Sequence, residues 1–319
     1  MCLMASPLIH HVSVINRDRY VTFDFYHKLL GLEFLLKTVN QDEVDMLHLF
    51  FGDKTGRPGT EFSVFEMQNA PQKQFGTNSL ERTVFAVPSE ASLQFWLARF
   101  EAHDVFNCEI EDYQGRKYLH FEDRDGIQLA LTPLRVGDAS EHAPHQSADI
   151  PLEHAILGID SFQCRVRYAE ASARAFMNMH GYQKLESYEH NHHEVTVLGA
   201  EDVLFGQQLH LIEDRTRDIE TQGIGSVQHI ALNAKNRTGL YEMEKMILDT
   251  NFRYSGIKQR DFFESLYYRE PNNLLIEVAT EQTNFVKPKT ATEDYDAIPL
   301  FLPDFLESRR SYIENGIKR

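Results

Sequence analysis

At 319 residues, with 42% hydrophobic, 25% charged and 11% aromatic residues, the chain has the composition of a globular protein of about two domains. Its net charge of −16 argues against a nucleic-acid or membrane-surface partner, which would repel an acidic protein. Cys2, Cys108 and Cys164 have no metal-type spacing, no run approaches the ~20 apolar residues of a membrane span, and the first residues lack a signal-peptide pattern, so a cytoplasmic protein without disulfides is expected.

Taken in order, the elements repeat. A short alternating strand at 10–14 is followed by an amphipathic helix from Tyr20 to Leu30, capped by Asp18 and ended by Gly31, and a closing strand at 60–66. The second copy opens at 82–87. Pro88 and the cap Ser89 precede an apolar stripe of Leu93, Trp96, Leu97 and Phe100, and the copy closes at 127–131. The third opens at 161–166, runs helical from Glu170 to His180 before Gly181, and closes at 208–212. The fourth opens at 228–232, has a weaker helix from Leu240 to Leu248, and closes at 274–278.

The small, polar and proline-rich stretch 136–151 reads as a linker. It divides an N-terminal pair of repeats (1–135) from a C-terminal pair (152–282), with a tail at 283–319 that packs on the body and is helical over Ser308–Asn315. The fold class is α+β, built from four βαβββ repeats. Aligned by eye, the copies pair His11 with Ser63, Thr83 with Ala130, Ser161 with His210, and His229 with Glu277, at separations of 52, 47, 49 and 48 residues.

His11, His229 and Glu277 then stand at matched strand positions. Two imidazoles and one carboxylate with open positions suit Fe(II) and leave room for substrate and O2. The N-terminal pair supplies one ligand and the C-terminal pair two. One shared metal requires copies one and four to lie side by side in one curved sheet. Ser63 stands where a fourth, carboxylate ligand would complete a pseudo-symmetric site. Its presence favours chelation of an aromatic diol beside O2 over Lewis-acid proton transfer. H-N-H-H at 190–193 reads as an exposed turn, and G-R-P-G-T at 56–60 as a turn without a phosphate cradle.

At these residues, and in F-Y-H-K-L-L-G-L-E-F, F-G-D-K-T-G-R-P-G-T, E-S-L-Y-Y-R-E-P and P-D-F-L-E-S-R-R, the chain resembles the vicinal-oxygen-chelate superfamily (glyoxalase, bleomycin resistance, extradiol dioxygenase). It looks most like the hydroquinone-type ring-cleaving dioxygenases. The resemblance implies two curved-sheet barrels, Fe(II) or alternatively Mn(II) on His11, His229 and Glu277, and a role in aromatic-compound breakdown. It also implies roles near the metal for His10, Arg260 and Tyr267. Arg260 would steady an anionic substrate oxygen, and Tyr267 would hydrogen-bond to substrate. Strand parity points His10 away from His11 and sets Arg260 opposite Tyr267 unless a bulge or turn intervenes. Such sequences usually carry a second histidine where this chain has Gln228. A glyoxalase-like isomerase or lyase and a metal-free binder of aromatic ligands remain alternatives, and apolar strand edges leave room for a homo-oligomer.

Overall fold

In a computed structural model of the chain, which describes residues 8–113, 115–201, 203–260, 262–281 and 293–317, one strand–helix–three-strand order recurs four times. Copy one comprises β1 (Ile9–Asn16), α1 (Arg19–Phe23), β2 (Glu33–Val39), β3 (Leu47–Gly52) and β4 (Glu61–Glu66). Copy two comprises β5 (Ser79–Val87), α2 (Glu90–Ala102), β6 (Phe106–Tyr113), β7 (Arg116–Glu122) and β8 (Gln128–Pro133). Copy three comprises β9 (Gly158–Val166), α3 (Ala169–His180), β10 (Gln183–His190), β11 (His193–Gly199) and β12 (Gln208–Glu213). Copy four comprises β13 (Val227–Asn233), α4 (Arg237–Thr250), β14 (Lys258–Gln259), β15 (Glu264–Arg269) and β16 (Leu275–Ala279). Two short helices, α5 (Asp304–Glu307) and α6 (Arg310–Gly316), end the chain.

The copies assemble into two eight-stranded sheets, ordered β14-β15-β16-β13-β1-β4-β3-β2 and β10-β11-β12-β9-β5-β8-β7-β6. Copies one and four therefore share one sheet, and copies two and three share the other. Each seam is an antiparallel pair of opening strands, β1 with β13 and β5 with β9. Each opening strand also pairs in parallel with the closing strand of its own copy. The opening and closing strands are buried over nearly their whole length, because helices cover one face and the curled sheet encloses the other.

Helix ends follow local chemistry, with departures from expectation. Asp18 Oδ1 accepts from Tyr20 N and Val21 N at 2.8 and 2.9 Å, but the first helix is α-helical only to Phe23 and continues as a π-helical turn over Asp24–Leu29. Ser89 sits at the cap of α2 without a capping hydrogen bond. Helix α4 begins at Arg237, earlier than expected, where Asn236 caps Gly239 N. It ends at Asn251 in the left-handed region (φ 58°), so asparagine does the work of the absent glycine. The tail packs on copy one through buried Ile298, Leu302, Leu306, Ile313 and Ile317, and its residues 283–292 lie outside the described ones. Among the described residues no helix is long and apolar enough to cross a membrane.

Two crossovers, 67–78 and 214–226, carry the chain between the sheets and bridge to each other at Gln72/Ile224, Gln74/Thr221 and Thr77/Ile219. Their backbones approach so closely that a Cβ on Gly76 would stand 2.3 Å from Asp218 O, and one on Gly223 would stand 2.2 Å from Pro71 O. Glu220 lies within this contact, accepting from Ser226 Oγ at 3.2 Å. Burial raises its pKa to about 7, against the opposing pull of Lys73. The folded-state value lies above that of an unfolded glutamate, so the neutral form's stabilisation is present at low pH and is lost as pH rises through about 7. The urea midpoint of the wild type should therefore fall relative to that of Glu220→Gln between pH 5 and 7 and keep a constant offset above pH 8. Parallel curves across the whole range would contradict this.

Candidate metal centre

Two β-bulges in one seam set up the site. Along β1 the step from Ile9 to His11 faces a single step from Leu232 to Ala231 on β13, which makes His10 the extra residue. Along β13 the step from His229 to Val227 faces the single step from Ser13 to Val14, which makes Gln228 the extra residue. A bulge breaks strict alternation and re-aims side chains, so each extra residue reaches the histidine that follows it. His10 Nδ1 lies 3.0 Å from His11 Nδ1, and Gln228 Oε1 is hydrogen-bonded to His229 Nδ1. The parity rule that turned His10 away from His11 fails here for this reason.

The bonds of His10 and Gln228 assign the imidazole tautomers. His10 Nε2 faces the carbonyl of Thr280 at 3.2 Å, and a carbonyl only accepts. His10 thus donates from Nε2 and accepts at Nδ1 from His11 Nδ1–H, which leaves the Nε2 lone pair of His11 free. Burial lowers the pKa of His10 to about 3, aided by His11, so the ring stays neutral. On the other strand His229 Nδ1–H donates to Gln228 Oε1, freeing the Nε2 lone pair of His229 in the same way.

These two nitrogens and Glu277 converge. His11 Nε2 and His229 Nε2 are 3.2 Å apart, and Glu277 Oε2 lies 3.0 Å from the first and 2.8 Å from the second. All three residues are buried. Glu277 pairs with Ala231, two residues beyond His229, so the parallel register of β13 and β16 delivers it to the same point. Neither carboxylate oxygen of Glu277 receives a well-directed hydrogen bond, although both are fully buried. Such a carboxylate costs several kcal/mol of lost solvation unless something compensates it. Burial pushes its pKa up, but the two histidines outweigh this and hold it well below the usual carboxylate range. For His11 the downward pull of burial is outweighed by Glu277, which raises it. His229 is lowered by burial despite the same carboxylate.

A triangle of 2.8–3.2 Å edges is the spacing of three cis donors each about 2.1 Å from one ion, so the residues fit a divalent metal on one face of an octahedron. A second group, His10, His11 and Glu61, also lies close enough to hold an ion. Neither His10 nor Glu61 lines the cleft, and His10 Nδ1, 3.7 Å from Glu61 Oε2, is engaged in the bond to His11.

A cleft of ≈ 70 Å³ opens beside the triangle, walled by Phe50, Phe65, Phe262 and Phe263. Tyr267 faces Glu277 directly across β15 and β16, with its ring 5.3 Å from that of His229. Burial and then the Glu277 charge raise the Tyr267 pKa well above normal, so its hydroxyl remains a donor. Arg260 lies beyond β14 in a turn closed by Arg260 N donating to Phe263 O at 2.8 Å. That turn brings its guanidinium over the Tyr267 ring at 5.7 Å, so the two share the cleft. Asp42, between β2 and β3, accepts from Arg260 at 2.8 Å and from Lys258, joining copies one and four across the cleft mouth. Sequence reasoning missed Asp42 and His48. His48 lines the cleft and hydrogen-bonds Ser63 Oγ at 2.8 Å, and Ser63 Oγ also meets Ser13 Oγ at 2.6 Å. Its string, L-H-L-F-F, carries no signal beyond strand alternation. Burial, then His229 and His11, lower its pKa well below normal. The turn at Asn191 and His192 is a hairpin bend with both residues at positive φ, away from this cleft.

Residues 8–131 match the model of the Glyoxalase/Bleomycin resistance protein/Dioxygenase superfamily. The chain is 35% identical to the "Putative ring-cleaving dioxygenase MhqA" of Bacillus subtilis, over 97% of this chain and 98% of that protein. It is 24% identical to the chlorohydroquinone/hydroquinone 1,2-dioxygenase of Sphingobium indicum, over 85% and 84%. The crystal structure of a "putative dioxygenase" from Bacillus subtilis superimposes with a TM-score of 0.85 at 25% identity, covering 98% of this chain and 97% of that one.

Replacing Gln228 with leucine removes the acceptor that holds the His229 tautomer. We expect the Nδ1–H form of His229, read by nitrogen-15 NMR of the metal-free protein, to lose its dominance, and affinity for a divalent ion to fall about 10- to 100-fold. An unchanged tautomer and affinity would show that Gln228 does not orient the ring.

Proposed function

The chain belongs to the Glyoxalase/Bleomycin resistance protein/Dioxygenase superfamily and within it to the ring-cleaving dioxygenases, and we propose that it opens a hydroquinone- or catechol-type ring with O2 at a non-haem Fe(II) held by His11, His229 and Glu277. The observation that carries this reading is the convergence of three buried donor atoms beside a narrow aromatic cleft, with Ser63 in place of a fourth ligand. Fe(II), with Mn(II) as the alternative, would supply redox coupling between an aromatic diol and O2. The hydroquinone class is that of the Sphingobium relative, and four phenylalanines suit a single flat ring.

The chain's own residues then divide the remaining work. His11, His229 and Glu277 would hold the ion at the wall of the cleft that they line. The phenylalanine walls exclude water and fix the plane of the ring. Arg260 offsets the charge of a deprotonated substrate oxygen, and Tyr267, kept protonated by its surroundings, donates a hydrogen bond to the same end. His48, kept neutral by burial and tied to Ser63, lines the cleft as a neutral hydrogen-bonding group for the incoming diol. His10 lies wholly behind His11 and acts as a positioning residue. A glyoxalase-like isomerase would need a further ligand where Ser63 Oγ is already engaged by Ser13 and His48.

Protein loaded anaerobically with Fe(II) and mixed with methylhydroquinone should consume O2 in step with substrate loss. Glu277→Gln should cut metal occupancy and lower kcat/KM by ~100-fold or more, because a ligand and its charge are lost together. Full activity with full metal in that variant would remove Glu277 from the ligand set. Absence of O2 uptake across hydroquinones and catechols, with iron bound, would overturn the proposed reaction.

A further inference from the structure

The second sheet contains a counterpart of the metal cleft with its chemistry inverted. The β5–β9 seam carries the same two bulges. Leu80 to Arg82 faces Cys164 to Gln163, and Val84 to Phe85 faces Ser161 to Ile159, so Glu81 and Asp160 are the extra residues. Structurally, Arg82 therefore stands where His11 stands in the first sheet, one residue before the Thr83 chosen by eye. His210, paired with Gln163 two residues beyond Ser161, stands where Glu277 does. A cation-binding set has become a guanidinium and an imidazole.

These residues line a cavity of ≈ 300 Å³, against ≈ 70 Å³ for the metal cleft. The Arg82 guanidinium donates to two neutral amide oxygens, Gln163 Oε1 at 3.1 Å and Gln128 Oε1 at 3.3 Å, and among the described residues it has no carboxylate within ion-pair distance. Its Nε is buried without a hydrogen bond. His210 is 4% exposed and His120 is 8% exposed, and both line the cavity. The Nδ1 of His210 has no partner. Its Nε2 is bound to Gln208 Oε1 at 3.1 Å, which makes Nδ1 an acceptor. Neither nitrogen of His120 has a hydrogen bond, although Glu111 Oε2 stands 3.2 Å from Nε2. One wall is aromatic, with His190 stacked on Tyr113 at 3.8 Å and Tyr188 nearby. Burial, followed by the charges of Arg82 and His190, lowers the pKa of His120 to about 3, while Glu81, Glu109 and Glu111 also line the cavity. An unneutralised, half-buried guanidinium beside orphaned polar atoms is costly without a ligand.

We propose that this cavity is a second, metal-independent binding site for a small hydroxylated aromatic carboxylate. The carboxylate pairs with Arg82, the ring lies against Tyr113, Tyr188 and His190, and the hydroxyl donates to His210 Nδ1.

The probe is 4-hydroxybenzoate, followed by calorimetry on the full chain. Wild type and Glu277→Gln should bind it equally, within about twofold. Arg82→Gln and the neutral isostere 4-hydroxybenzamide should each weaken binding about tenfold or more, the loss of a charge-assisted pair. Binding abolished by Glu277→Gln but kept in Arg82→Gln would move the ligand to the metal cleft and overturn the proposal. So would inorganic phosphate binding as tightly as the aromatic acid, or no binding at all. Should Arg82→Gln not fold, wild-type crystals soaked with 3-bromo-4-hydroxybenzoate give an independent answer. A bromine anomalous peak beside Arg82 supports the site, and a peak only in the metal cleft, or none, refutes it.

Discussion

The antiparallel seam between β1 and β13 is the constraint on which the rest depends. A regular ladder would send neighbouring side chains to opposite faces, and the residue before each histidine would point into the core away from it. One bulge on each strand breaks that alternation at two points related by the pseudo-twofold of the repeats. The residues released, His10 and Gln228, hold the Nδ1 protons of His11 and His229, so both Nε2 lone pairs face the same space. Glu277 reaches that space by the parallel register of its own copy. The site thus needs both ends of the chain, and the crossovers that bridge to each other, with glycines where the backbones touch, hold the two sheets that bring those ends together.

The same backbone device serves two chemistries. Both seams have bulges at corresponding positions, yet one presents two imidazoles and a carboxylate and the other an arginine and an imidazole. In the first, the buried carboxylate is compensated by histidines and fits a cation. In the second, a guanidinium with no carboxylate partner among the described residues takes the place of a metal ligand. The strand pairing keeps the same backbone geometry in both sheets, while the side chains beside the bulges differ between them.

Much of this was legible in the sequence. Even spacing between opening and closing strands exposed four copies, and placing His11, His229 and Glu277 at matched positions implied the shared sheet that the structure has. What was not legible came from local breaks in periodicity. Bulges leave no mark in a hydrophobic pattern, so the direction of His10 was misjudged and copy two was aligned one residue late, on Thr83 instead of Arg82. The turn after β14 likewise reversed the expected separation of Arg260 and Tyr267. Asn251 ended α4 in a conformation that a search for glycine overlooks. His48 and Asp42 gain meaning only from neighbours distant in the chain.

The most direct test of the account is to locate the metal. Crystals grown with Mn(II) and measured at its absorption edge should show one anomalous peak, about 2.0–2.3 Å from His11 Nε2, His229 Nε2 and a Glu277 oxygen. A peak among His10, His11 and Glu61, or none near Glu277 with the ion in excess, would contradict it.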